Sequence, residues 1–199
     1  MIRLISGKVA CCLCRDESSR DNYELYEYAI YIVISSLLHI VTVVILGLIF
    51  SLIIESSLFY LSFIAIRKFA GGYHASTPSR CYLFSLTVSA AVLALLKLML
   101  LYDGWIMEAA AAGFGLVFLA VIICLSPLES ENNPLNDREK RVYKKIAVLN
   151  SIIIYIAAVL LMLFGLSNFS FSLLFGELVS AVVILMRRLQ MSKHSEKAT

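Results

Sequence analysis

This sequence predicts an all-α, polytopic integral membrane protein, with six transmembrane helices behind an amphipathic amino-terminal segment. Three observations lead there. Of 199 residues, 60% are hydrophobic and 16% charged, against ~45–50% and ~25% in a soluble domain; mean hydropathy is +0.87. The apolar excess falls in runs near the ~20 residues that cross a hydrocarbon core. Lys and Arg gather in four segments: the amino terminus, Arg67–Arg80, Arg138–Lys145 and Arg187–Lys197. The turns near Glu55, Asp103 and Asn168 carry neither residue. Six spans place all four basic segments on one side, which the positive-inside rule makes cytoplasmic.

Residues 1–22 mix Ile2, Leu4, Ile5, Val9 and Leu13 with Arg3, Lys8, Arg15 and Arg20. That pattern suits an amphipathic cytoplasmic helix on the inner leaflet, its cations toward lipid phosphates. Arg3 and Lys8 interrupt the apolar patch, so it does not read as a signal peptide. Cys11, Cys12 and Cys14 lack the histidines or second CxxC of a zinc site. No metal, cofactor or disulfide framework is expected, and the net charge of +3 is too small to suggest nucleic acid.

The membrane domain is expected over residues 23–189. Tyr23 to Ile66 is long enough for two spans, with the turn placed at Glu55 and its flanking serines. His39 in span one suits packing or a helix–helix hydrogen bond. Span three runs from about Cys81 to Tyr102, with Lys97 placed to snorkel outward. Span four, about Ile106 to Leu125, carries Ala109–Gly113 and Ala111–Gly115, small residues four apart that permit close helix approach. A loop over 126–145 follows, in which Pro127 and Pro134 halt helical continuation. Spans five and six are expected at about Ile146–Phe164 and Phe171–Met186, the latter containing Glu177. Residues 190–199 form a frayed cytoplasmic tail.

Chemistry concentrates in the loop 67–81, RKFAGGYHASTPSRC. Arg67 and Lys68 end span two, and a glycine beyond them can take a positive φ. Thr77–Pro78 reads as an N-cap followed by proline at the first helical position. Cys81 then falls in the first turn of span three, beside free backbone N–H groups and Arg80, a setting that favours thiolate. His74 lies seven residues earlier; in one helix that is ~10.5 Å along the axis, too far for contact. The glycines and Pro78 interrupt the helix, so a reverse turn can bring imidazole to thiol, where Cys81 would attack and His74 would shuttle the proton. A plainer reading also stands: a solvated histidine and a small buried thiol. Arg67 divides similarly between membrane anchor and substrate contact.

These residues resemble the core of the AgrB family, the accessory gene regulator B peptidases of bacterial quorum sensing. Arg67, Gly71–Gly72, His74 and Cys81 match that core, and the loop SPLESENNPLNDREKRVYKK is similar to the family's proline-containing loop through Pro127, Glu129, Asn132 and Pro134. The chain departs at Asn133, where members often carry lysine. The resemblance implies a membrane cysteine endopeptidase in the bacterial plasma membrane, without a cofactor, with both termini and the active-site loop cytoplasmic. It implies that a small amphipathic precursor peptide loses its carboxyl-terminal part to a Cys81 thioester and then cyclises to a thiolactone or lactone. His74 and Cys81 would be catalytic; Arg67, Gly72 and Glu129 would support them or bind substrate. Besides the peptide and the bilayer, a second copy of the chain is a possible partner. The rival classes are a six-helix transporter using Glu177, His39 and Lys97, and a non-catalytic membrane scaffold.

Overall fold

Six α-helices and no strands occur among the residues described by the computed structural model, which are 11, 23–72, 78–101, 104–128 and 136–196. The helices are α1 (Tyr23–Phe50), α2 (Ile53–Ala70), α3 (Pro78–Met99), α4 (Trp105–Leu125), α5 (Asp137–Leu163) and α6 (Ser167–Glu196). A bilayer offers no water to unpaired backbone groups, so uninterrupted apolar sequence is forced into helix. Five of these helices, all but α2, are long and apolar enough to cross a membrane. α2 is 18 residues long and carries Glu55, Arg67 and Lys68. The expected six spans thus become five clear candidates and one shorter, more polar helix. The amino-terminal segment 1–22 lies outside the described residues except for Cys11, which is helical and exposed.

The chain divides into two compact units, Met1–Ile45 and Leu46–Thr199. In the first, the His39 ring nitrogen Nδ1 lies 2.8 Å from the Ser35 carbonyl, a contact within its own helix. The second unit contains the whole of α2 to α6. α6 is its central helix and is mostly buried, whereas α3, α4 and α5 expose most of their length. Ser170, Ser172, Gly176, Ser180 and Ala181 along α6 are small and buried, so neighbouring backbones come close. At Gly176 the α2 backbone approaches so nearly that an added Cβ would overlap the Ser62 hydroxyl and lie 2.8 Å from the Phe59 carbonyl oxygen.

Several boundaries depart from expectation for identifiable reasons. The first turn falls at Ser51, whose φ is +59, and the Leu52 N–H reaches back to the Gly47 carbonyl at 2.7 Å. Glu55 therefore belongs to the first turn of α2, where its charge suits the positive end of the helix dipole. Lys97 does not simply snorkel: Nζ donates to the Phe50 carbonyl at 2.8 Å, satisfying an orphan acceptor at the end of α1. The basic run Arg138–Lys145 is not loop but the opening of α5. There the Glu139 carboxylate accepts the Asn136 N–H at 2.9 Å, as in a capping box. α6 starts at Ser167 and continues to Glu196, so the tail expected to fray is helical through that residue.

The small-residue pairs on α4 behave differently from each other. Gly115 is buried, and a Cβ there would meet Leu174 and Tyr155 at 2.9 Å, so the Ala111–Gly115 side packs inward. Ala109 and Gly113 are exposed, with nothing within 4 Å of a Cβ on Gly113.

Candidate functional site

The cysteine region is built where α2 ends and α3 begins. Gly71 follows α2 with φ +74, and its N–H closes on the Arg67 carbonyl at 3.1 Å. Gly72 follows with φ +146. Both values favour glycine, whose missing Cβ removes the steric penalty. Space demands glycine as well: a Cβ on Gly71 would overlap the Leu128 carbonyl oxygen, and one on Gly72 would lie 2.7 Å from a Val183 methyl. Gly72 is thus placed as part of a tight backbone crossing, buried between the end of α2 and α6.

α3 begins at Pro78, so Cys81 occupies the first helical turn. Its thiol is free and half-buried. Arg67 comes to it from the last turn of α2. The guanidinium is half-buried and lies within electrostatic reach of Cys81. The guanidinium carbon also stands 5.5 Å from the centroid of the Phe63 ring, a cation–π arrangement. Arg80, next to Cys81, is exposed. Of the residues singled out in the sequence, the structure therefore sets Arg67 and Cys81 within electrostatic reach of each other, with Gly72 at the start of the segment between them. His74 and Glu129 lie outside the described residues.

What holds this end of α2 was not legible in the motif. Asn150 of α5 donates through Nδ2 to the Ala65 carbonyl at 2.9 Å, and Phe69 meets Tyr143 edge-on at 5.8 Å. After α4 the chain turns through Ser126 and Pro127, and the Leu128 N–H donates to the Ala70 carbonyl at 3.0 Å. The proline-containing connection thereby reaches the helix end that precedes Cys81. Pro127 marked a turn, but nothing in the residue types announced its backbone partner.

Three other polar groups are already engaged. Glu177 is completely buried on α6, where Oε1 accepts the Ser151 hydroxyl at 2.9 Å and Oε2 has no hydrogen-bond partner among the described residues. Glu108 accepts from the Ser167 hydroxyl between the starts of α4 and α6, and Lys97 caps α1 as described. An apolar cavity of about 320 Å³ lies among Met99, Phe114, Phe118, Phe171 and Phe175, toward the end opposite Cys81, and offers no reactive group. No cluster of His, Cys, Asp or Glu among the described residues could hold a metal.

No solved structure matches the chain. It is 27% identical over 164 residues to AgrB-like protein 2 of Clostridium perfringens strain 13, covering 77% of this chain and 72% of that one. An AgrB-like protein of C. perfringens strain SM101 is 25% identical over 190 residues, 91% of this chain and 84% of the relative. Protein FsrB of Enterococcus faecalis is 24% identical over 178 residues, 85% and 66% respectively. The model of the family Accessory gene regulator B matches residues 6–186, spanning the α2 end and Cys81 and reaching well into α6, and the chain belongs to that family.

Proposed function

We propose that this protein is a membrane cysteine endopeptidase that matures a small amphipathic autoinducer precursor. The observation that carries the reading is the placement of Cys81 in the first turn of α3 within electrostatic reach of Arg67. Family membership supports it. The Cys81 thiolate adds to the scissile carbonyl carbon, with first-turn N–H groups of α3 as donors to the oxyanion. The C–N bond then breaks, His74 returns the proton to the leaving amine, and the carboxyl-terminal part departs. A thioester to Cys81 remains. A Cys or Ser side chain of the same peptide attacks it, the C–S bond to Cys81 breaks, and a thiolactone or lactone forms without a further energy source. A site beside the bilayer helps keep water from the acyl-enzyme. Arg67 and Glu129 are assigned to substrate or to supporting the pair.

This reading places the Cys81 loop and both termini in the cytoplasm. An inner-leaflet precursor would meet the site there, and the cations of α5 would attract an acidic tail. A transport pathway finds less support, because Glu177, His39 and Lys97 are each engaged in a hydrogen bond within the helices. The test is co-expression with a short amphipathic peptide encoded beside this chain, read by mass spectrometry. Cys81→Ala and His74→Ala are expected to abolish cleavage while leaving the protein inserted, and Arg67→Lys to lose most activity. Cleavage at the normal rate in both Cys81→Ala and Cys81→Ser overturns the nucleophile.

A further inference from the structure

The last turn of α2 carries two contacts on one short piece of backbone. Arg67 lies within electrostatic reach of Cys81, and three residues later the Ala70 carbonyl accepts the Leu128 N–H at 3.0 Å. The Leu128 side chain is only 7% exposed. It packs with Ile66 and Ala70 of α2, Ile122 of α4, Ala147 of α5, and Ala181 and Ile184 of α6. Leu128 is thus the point at which the connection after α4 joins three helices, α4, α5 and α6, to the end of α2.

From this we infer that Leu128 is a positioning residue for the cysteine site, acting through Arg67; the inference rests on the peptidase reading above. The last carbonyls of a helix have no partner within it and leave the final turn prone to fray. Pairing one of them, and burying a leucine beside it, fixes that turn. The Arg67 side chain then starts from one place relative to the sulfur. A misplacement of ~1 Å in a reacting constellation can cost ~10²-fold in rate, so a contact that touches neither Cys81 nor substrate has leverage on the chemistry. The second polar connection, whose proline pattern suggested only a turn, is on this view part of the site's framework.

The test uses the full chain in membranes, with Cys11, Cys12, Cys14 and Cys124 replaced by Ser. Two quantities are read: the rate of Cys81 alkylation by iodoacetamide, and kcat and KM for peptide processing. Leu128→Ala is expected to change the alkylation rate by ~3-fold or more and to lower kcat by ~10-fold or more, KM moving less than ~2-fold. Leu128→Met, which refills the site, restores both. Combined with Arg67→Lys, Leu128→Ala adds nothing to the larger single effect on either quantity, because both act along one path. Independent, multiplying effects overturn the inference, as does an unchanged alkylation rate in inserted Leu128→Ala. Should that variant fail to insert, Leu128→Val takes the same measurements. If the alkylation rates couple but the unmutated site processes no peptide, the peptidase reading falls and the positioning role stands. If processing occurs while alkylation ignores Leu128, the reverse holds.

Discussion

A methyl group added at Gly176 would overlap the Ser62 hydroxyl and stand 2.8 Å from the Phe59 carbonyl oxygen and 2.9 Å from the Phe63 nitrogen. The hydroxyl can rotate away, but the two backbone atoms cannot. Gly176→Ala must therefore separate α2 from α6, an overpacking cost of about 1–3 kcal/mol. Gly113 is the matched control, since a Cβ there meets nothing within 4 Å and Gly→Ala inside a helix gains up to ~1 kcal/mol. Thermal unfolding of both variants in one detergent is expected to show a lower midpoint for Gly176→Ala and an unchanged or higher one for Gly113→Ala. Equal midpoints would mean that the α2–α6 crossing is not held so tightly. Because Arg67 sits about one to two turns further along α2 from the same crossing, Gly176→Ala should also slow processing.

At the scale of the element, α6 shows what was and was not legible. Hydropathy identified the helices, because a chain crossing lipid has almost no alternative to pairing its backbone internally. The break before Cys81 was legible too: the glycines and Pro78 act through their own φ angles, and α3 begins at Pro78. The central position of α6 was not. Ser167 and Ser170 looked like turn residues, yet in the fold Ser170 donates to the Ala158 carbonyl of α5 at 2.7 Å and both are buried. Whether a serine ends a helix or joins two depends on a neighbour distant in sequence. The Leu128–Ala70 bond was hidden for a related reason, since a main-chain donor leaves no trace in side-chain identity. Glu177 is the sharpest case of such dependence, fully buried with the Ser151 hydroxyl on Oε1. Gln keeps the acceptor and the volume; Ala leaves a cavity and a buried hydroxyl unpaired. Glu177→Gln is expected to stay within a few degrees of the unmutated midpoint, while Glu177→Ala loses ~2 kcal/mol or more. If Glu177→Ala unfolds no earlier than Glu177→Gln, the Ser151 contact does not join α5 to α6.

For the whole molecule, α2 sets the parity of everything after it, beside the five helices that are clear membrane-spanning candidates. Eighteen residues span ~27 Å at ~1.5 Å each, slightly less than a hydrocarbon core of ~30 Å. Its charges lie at its ends, Glu55 in the first turn and Arg67 with Lys68 in the last, where they can reach the interfaces. Lys97, in the last turn of α3, bonds to the Phe50 carbonyl just before α2 starts, whereas only the seven residues 71–77 join the end of α2 to the beginning of α3. The two helices therefore run antiparallel over the same depth, and if α3 crosses, so does α2. In a background lacking the five native cysteines, single thiols are restored or placed at Cys81, Ser51→Cys, Gly104→Cys and Asp137→Cys. Intact cells are then treated with a membrane-impermeant thiol reagent. Ser51→Cys and Gly104→Cys are expected to label from outside, and Cys81 and Asp137→Cys only after permeabilisation. Labelling of Ser51→Cys and Cys81 from the same side would make α2 a re-entrant or interfacial helix and move the cysteine site to the other face of the membrane, away from a precursor on the inner leaflet.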